Sequence, residues 1–366
     1  MNNNKFIFSI IIPVYNTGKY IEKCLKSIHE AIDQECEVII INDGSTDNSE
    51  ELILNFIRKL PEKIKNNFVY IKKENKGLAD TKNVGIEKAR GEFISVVDSD
   101  DYISQDFYTI AKKYVNKYDI IVYDLYVVFE KDKSWNYTAR AWRDDRKNEL
   151  ASFLNGAMSG SSCNKIIKKE LYNSYKFPVG KQYEDTAVTP FILTDAQKIK
   201  YIPYPLYYYL QREKSIVATN TLMSAFYKIC NNITEVLNDK NKNYQKYKYV
   251  INEFFVDRIL EIFMQDFDEN REDFIKNITD FRENNQEIIN FIVDNNIVDK
   301  LENHYTEEQK EVVKNYFIML SQKNYNQIKL TLENNEYKED VKVESKSYFQ
   351  NVKHTLKEFI KALLNR

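Results

Sequence analysis

Cysteine is scarce in this chain. Cys24, Cys36, Cys163 and Cys230 are its four, too sparse for a disulfide framework and without the paired spacing of a thiolate metal site. Reduced, mostly buried thiols in a cytoplasmic protein are the expectation. Histidine is scarcer still, and His29, His304 and His354 are too scattered for a histidine-rich metal centre. An excess of one charge is missing too. The formal net charge is −2, so no global field draws the chain to nucleic acid, and an anionic ligand must be met by a local site. Long hydrophobic runs are absent, and nothing approaches a membrane span. The apolar opening, residues 5–13, lacks a small-residue cleavage site and runs straight into Pro-Val-Tyr-Asn, which favours a first buried strand over a leader. Glycine falls to eight residues, with none after Gly180. No glycine-rich phosphate loop stands near the N terminus.

What is present is a core-forming composition: 366 residues, 43% apolar and 30% charged. That length accommodates two domains, or one domain with a large appendage. Phe6 to Ile12 reads as a strand, followed by a helix with Tyr20, Ile21, Cys24, Leu25 and Ile28 on one stripe. Glu37 to Ile41 is a second strand, and Leu52, Ile53, Phe56 and Ile57 mark the inward face of the next helix. Phe68 to Ile71 is a third strand, and a helix opens after Asn75 and runs to Ala89. Phe93 to Val97 is a fourth strand, apolar enough to be buried on both faces. Ser104 caps a helix through Val115, Asp119 to Phe129 is a further strand, and Ile199 to Pro203 and Leu206 to Arg212 are two more. Strands alternating with helices predict an open, mainly parallel α/β sheet with helices on both faces.

In such sheets ligands bind beyond the carboxyl ends of the strands. Three of those ends are polar: Pro-Val-Tyr-Asn16, Asn42-Asp-Gly-Ser45 and Asp98-Ser-Asp-Asp101. They are expected to form one site. Asp98 and Asp100 stand two apart and, in extended backbone, point the same way. Two converging carboxylates suit a hard divalent cation carrying a phosphorylated ligand better than they suit a structural role.

The motifs in their order resemble a family 2 glycosyltransferase of the GT-A (Rossmann-like) fold. They are Ser9-Ile-Ile-Ile-Pro-Val-Tyr-Asn16, Ile41-Asn-Asp-Gly-Ser-Thr-Asp47, Asn75-Lys-Gly-Leu78, Asn83-Val-Gly85, Gly91-Glu-Phe-Ile94 and Val97-Asp-Ser-Asp-Asp101. Weaker matches follow at Asn164-Lys165, Phe177-Pro-Val-Gly180, Tyr183-Glu-Asp185 and Gln211-Arg212. The resemblance implies inverting transfer of a sugar from a nucleotide-sugar, a UDP-sugar foremost, to a hydroxyl of a surface glycan, glycolipid or glycoprotein acceptor. It implies Mn2+ or Mg2+ on Asp100 with Asp98, the latter also a candidate for the ribose. It assigns Pro13, Tyr15 and Asp43 to base and ribose, with Asn16, Gly44, Ser99, Lys82 and Arg212 completing the nucleotide-sugar site. Asp185 matches the family's base, with Glu184 as local competitor. Lys82 stands where many relatives have arginine and is open between phosphate contact and a solvated helix face. Gln211 or Arg212 is expected to face the diphosphate. Tyr207 to Tyr209 reads as packing, while Trp135 and Trp142 are candidates for covering a sugar ring.

The resemblance spans roughly residues 6 to 220, giving a catalytic domain over 1–220 and an α-helical region over 221–366. Segments 225–237, 249–267, 286–301 and 307–320 read as amphipathic helices. The last, 348–364, combines an apolar face with basic residues. It packs on its neighbours, docks a partner, or touches anionic lipid at the inner face of a membrane. A nucleotidyltransferase and a non-catalytic partner subunit of a glycosyltransferase complex are the alternatives.

Overall fold

The computed structural model describes residues 6–131, 134, 136–142, 159–212, 274–284, 286–294, 298–300, 307–326 and 328. The chain divides into two compact units. One holds residues 1–153 and 157–219 with 365–366, and the other holds 154–156 and 220–364.

In the first unit, β1 (Phe8–Val14), β2 (Cys36–Asp43), β3 (Phe68–Lys73) and β4 (Phe93–Val96) form a parallel half-sheet in the order β3-β2-β1-β4. Every residue of β1, β2 and β4 is buried, which is why they read as unbroken apolar runs. Helix α1 (Ile21–Ala31) buries Ile21, Cys24, Leu25, Ile28 and Ala31, the i, i+3/i+4 stripe of one face. That stripe packs with Ile10, Ile12, Val38 and Ile40, joined by Ile53 of α2 (Ser49–Lys59). The alternate positions, Ile11 and Ile41, face α4 on the other side, beyond the single turn of α3 (Glu62–Lys65). Helix α4 (Leu78–Lys88) approaches so closely that a Cβ on Gly85 would lie 2.4 Å from Ile11 Cγ2 and 2.9 Å from Ile41 Cδ1. The Asn-x-Gly motif is therefore a packing device as much as a chemical one.

Beyond β4 the parallel pattern gives way. The remaining strands are β5 (Tyr102–Ile103), β6 (Ile120–Phe129), β7 (Tyr137–Ala139), β8 (Lys165–Lys168) and β9 (Ile199–Gln211). β8 lies antiparallel between β4 and β6, β9 runs parallel to β6, β5 is antiparallel to β9, and β7 adds to β6. The sheet is mixed, with its parallel half carrying the first three strand ends. β9 is one strand where two were expected; its register to β6 shifts around Tyr123 and Asp124. Helix α5 (Phe107–Ala111) begins later than Ser104, whose Oγ instead accepts from Asp106 N at 3.3 Å. Helix α6 is Thr189–Asp195.

At the amino ends of β1 and β4 a buried carboxylate acts as a staple. Glu37 Oε1 accepts from Ser9 Oγ at 2.5 Å and Gly91 N at 3.1 Å, and Oε2 accepts from Arg90 Nε at 2.8 Å. Buried charge is tolerable because these donors satisfy it.

In the second unit the described helices are α7 (Phe274–Asn284), α8 (Gln286–Asp294) and α9 (Glu307–Ser321). Ile278, Ile289, Ile292, Val313, Phe317 and Leu320 are buried, and Arg282 Nη2 donates to Ser321 O at the end of α9 at 3.3 Å. α8 and α9 fall where the sequence predicts individual helices, and α7 lies elsewhere within the region read as α-helical. Segments 225–237, 249–267 and 348–364, and Trp135, lie outside the described residues. No helix among the described residues is long and apolar enough to cross a membrane.

Candidate functional site

The parallel strands bring their carboxyl ends to one edge, and hydrogen bonds stitch the following loops together. Asn16, in left-handed backbone (φ 51°), offers Oδ1 to Thr46 N at 2.8 Å and Asp47 N at 3.3 Å. Gly18 N donates to Asp47 Oδ2 at 2.9 Å, and Thr17 Oγ1 bonds Ser99 Oγ at 3.0 Å. The loops after β1, β2 and β4 are thus one assembly, with Asn16 and Ser99 as its joints. Pro13 is buried within β1 opposite Ile41, while Tyr15 is 50% exposed and free to meet a ligand face.

Asp43 ends β2, almost fully buried. Its oxygens accept from Lys76 N at 3.0 Å, Gly77 N at 2.8 Å and the Lys73 ammonium. Gly44 follows at φ 69°, where a Cβ would sit 3.0 Å from Asn75 N. The short-range work of Asp43 is to hold the 75–77 loop against β2, and only its remaining lone pairs could serve a ligand.

After β4 the chain leaves extended geometry. Asp101 N donates to Asp98 O at 3.0 Å, closing a turn over 98–101. The expectation that Asp98 and Asp100 share one side of a strand is therefore corrected, because the turn sets their directions separately. Asp101 is buried and structural. It accepts from Tyr207 Oη and Leu210 N, both at 2.7 Å, while Tyr207 Oη accepts from Asp98 N at 3.0 Å. This clamps the acidic turn to β9. Tyr208 stacks on Tyr102 at 4.7 Å, so this tyrosine run serves packing. Trp142 packs against Tyr201 of β9.

Asp100 is ion-paired with Arg212, whose guanidinium also lies 5.2 Å from the Tyr20 ring centroid. Burial raises the Asp100 carboxyl above its ordinary pKa, and Arg212 works against that rise. The buried Gln211 amide makes no hydrogen bond among the described residues.

Lys82 corrects the expectation of a solvated helix face. It is 2% exposed, and its Nζ lies 2.7 Å from Glu184 Oε1 and 3.1 Å from Ser162 Oγ. Burial opposes its charge, but Glu184, Asp185 and Asp98 around it carry its pKa above the ordinary lysine value. Asp98 is pushed up to about 6, by burial first and by Asp100, Glu184 and Asp185, with Lys82 countering. Asp185 is half-buried and accepts from Ser162 N at 3.2 Å. Burial raises its pKa too. Ser162 was not legible as a site residue, since a serine in a Ser-Ser-Cys stretch carries no local signal.

Whether this set could hold a metal turns on its donors. Among the described residues no group of three or more His, Cys, Asp or Glu forms a ready-made ligand sphere. Magnesium-type ions do not require one, being held by one or two carboxylates plus ligand phosphates. Asp98 and Asp100 fit that pattern. Both are partly accessible, and both have raised pKa values in a crowd of carboxylates short of positive charge.

Comparison with known proteins gives the family and the fold. The sequence profile of the family described as Glycosyl transferase family 2 matches residues 9–176. Glycosyltransferase GlyG of Streptococcus pneumoniae serotype 4 is 33% identical over 227 residues, covering 58% of this chain and 73% of GlyG. Glycosyltransferase GlyA of the same organism is 30% identical over 220 residues, covering 57% of this chain but only 31% of GlyA. Among solved structures, S. aureus TarS 1-349 in complex with UDP-GlcNAc superposes with a TM-score of 0.62 at 20% identity, covering 89% of this chain and 90% of that one.

Proposed function

Because this chain belongs to glycosyltransferase family 2 and has the GT-A fold, we propose that it transfers a sugar from a UDP-sugar, with inversion at the anomeric carbon and release of UDP, to an acceptor hydroxyl of a surface glycan, glycolipid or glycoprotein. The observation that carries the reading is the single charge cluster joining the 98–101 turn to the Glu184-Asp185 loop through Lys82. It sets a candidate leaving-group site beside a candidate base. The TarS structure holds UDP-GlcNAc on the same fold, which supports the choice of a uridine donor.

In this reading Tyr15 and Asp43 meet the base and ribose, with Pro13, Asn16, Gly44 and Ser99 shaping that pocket. Arg212 meets the diphosphate. Asp100, with Asp98, would hold Mn2+ or Mg2+, which when bound supplies Lewis-acid stabilisation of the departing diphosphate. Asp185 takes the acceptor proton as the hydroxyl attacks the anomeric carbon from the opposite face. Glu184, tied to Lys82, is not available for that step.

Purified protein screened against a panel of nucleotide-sugars, with and without manganese, tests the proposal. One UDP-sugar should be consumed in a metal-dependent way, and Asp100→Asn should abolish that while weakening UDP binding. Undiminished turnover in Asp100→Asn would overturn the site.

A further inference from the structure

We infer that Lys82 and Glu184 form a positioning pair that aims Asp185, and that Lys82 is not a ligand of the donor diphosphate. The inference rests on Asp185 being the base. Its geometry begins with the helix. α4 is held on both sides, by the close approach of Gly85 to Ile11 and Ile41 and by a two-bond clamp from Asn83. Asn83 Nδ2 donates to Phe177 O at 2.8 Å, and its Oδ1 accepts from Phe177 N at 2.9 Å. Lys82, next to the clamp, therefore enters the cluster from a fixed backbone. Its ammonium is spent inward, on Glu184 and on the Ser162 hydroxyl, with the Phe177 ring centroid 5.3 Å away. At 2% exposure, and with two of its three N–H groups committed inside the cluster, its ammonium is closed off from a phosphate arriving from solvent.

Ser162 completes the relay. Its hydroxyl is held by Lys82, and its backbone N–H donates to Asp185 Oδ2. Tyr183 supplies the turn that makes this possible. It sits at φ 58°, left-handed backbone that a tyrosine adopts only when its surroundings enforce it. The turn sends two consecutive carboxylates into different settings. Glu184 goes inward to Lys82, almost fully buried, and Asp185 stays half-buried at the cluster's edge. The pair fixes where the turn ends, and so where the base points. A displacement of about 1 Å at such a position costs on the order of 100-fold in rate.

The test uses the full chain. Lys82→Met alone strands a buried carboxylate and can cost folding, so the decisive variant is Lys82→Met with Glu184→Gln, which removes both charges together. It should fold, bind UDP within about twofold of the parent, and lose on the order of 100-fold in kcat with little change in donor KM. A UDP affinity that falls by tenfold or more would make Lys82 a diphosphate ligand and overturn the inference, as would a kcat near that of the parent. Asp185→Asn is measured beside it. If Asp185→Asn turns over normally, the base assignment itself has failed. If Asp185→Asn is inactive while the double variant works, only the positioning role has failed.

Discussion

Arg212 competes with any cation for the carboxylate oxygens of Asp100. The guanidinium sits on the carboxylate that the proposed function needs for a metal, so the ion must displace it or wait for it to swing to the diphosphate. An ion pair this accessible is worth roughly 1 kcal/mol. Arg212→Met should therefore tighten Mn2+ binding about fivefold when no nucleotide is present, read by the loss of free-ion signal in an electron paramagnetic resonance titration. The same variant should weaken UDP. Unchanged manganese affinity would show that the pair does not guard the site. At Asp185 the groups that matter are Glu184, Lys82, Lys165 and the Ser162 N–H. Burial and the Glu184 charge raise its pKa, outweighing the cations. A base works only when deprotonated, so kcat at saturating donor should fall as pH drops through that raised value, with an acid limb above the usual carboxylate range. An acid limb at or below pH 4 would contradict this. Asp98 and Asp100 stood out as candidates because they close an apolar run in a short acidic motif, and Asp185 through the family resemblance of Tyr183-Glu-Asp185. The environment of Lys82 was not legible, since a lysine in a helix carries no sign of which face another loop will cover.

Elements show the same division between local and distant information. β1, β2 and β4 could be read from sequence because burial on both faces leaves their centres mainly apolar. β7 and β8 are three and four residues long, too short for a periodic signal, and the antiparallel placement of β8 depends on a partner more than 60 residues away. What secures the turn at 98–101 was hidden for a similar reason, as its tyrosine arrives on β9. Two glycines distinguish contacts with backbone from contacts with side chains. A Cβ on Gly91 would lie 2.6 Å from Ser9 N and 2.7 Å from Phe8 C, both backbone atoms of β1. A Cβ on Gly85 would meet side chains instead, Ile11 Cγ2 at 2.4 Å and Ile41 Cδ1 at 2.9 Å, so a buried isoleucine has to rotate about χ1 to give way, while alanine in a helix recovers up to about 1 kcal/mol of propensity. Gly91→Ala should thus cost about 1–3 kcal/mol and lower the melting temperature by several degrees, while Gly85→Ala costs less. Differential scanning calorimetry of the two variants decides the order, and a more stable Gly91→Ala would refute the close-contact argument.

For the whole molecule, every residue assigned to donor, metal or base lies in the first compact unit, between Pro13 and Arg212. The second unit contributes none of them. Its α8 and α9 were legible from their apolar spacing, and α7, which buries Ile278, falls within the region read as helical. The division of labour proposed here gives residues 1–220 the donor chemistry and 221–366 the contact with acceptor, partner or membrane surface. Among the described residues, the donor unit has its own core, with buried members from Phe8 to Tyr207. On that division a chain ending at Asn220 should fold and bind UDP within about twofold of the full-length protein. It should still release UDP slowly from the donor by hydrolysis while losing transfer to a polymeric acceptor. Calorimetric titration with UDP and a UDP-release assay check the first part, and product formation on acceptor checks the second. Loss of UDP binding in a folded truncation would mean that the second unit completes the donor site, and the boundary of the catalytic machinery would have to move beyond residue 220.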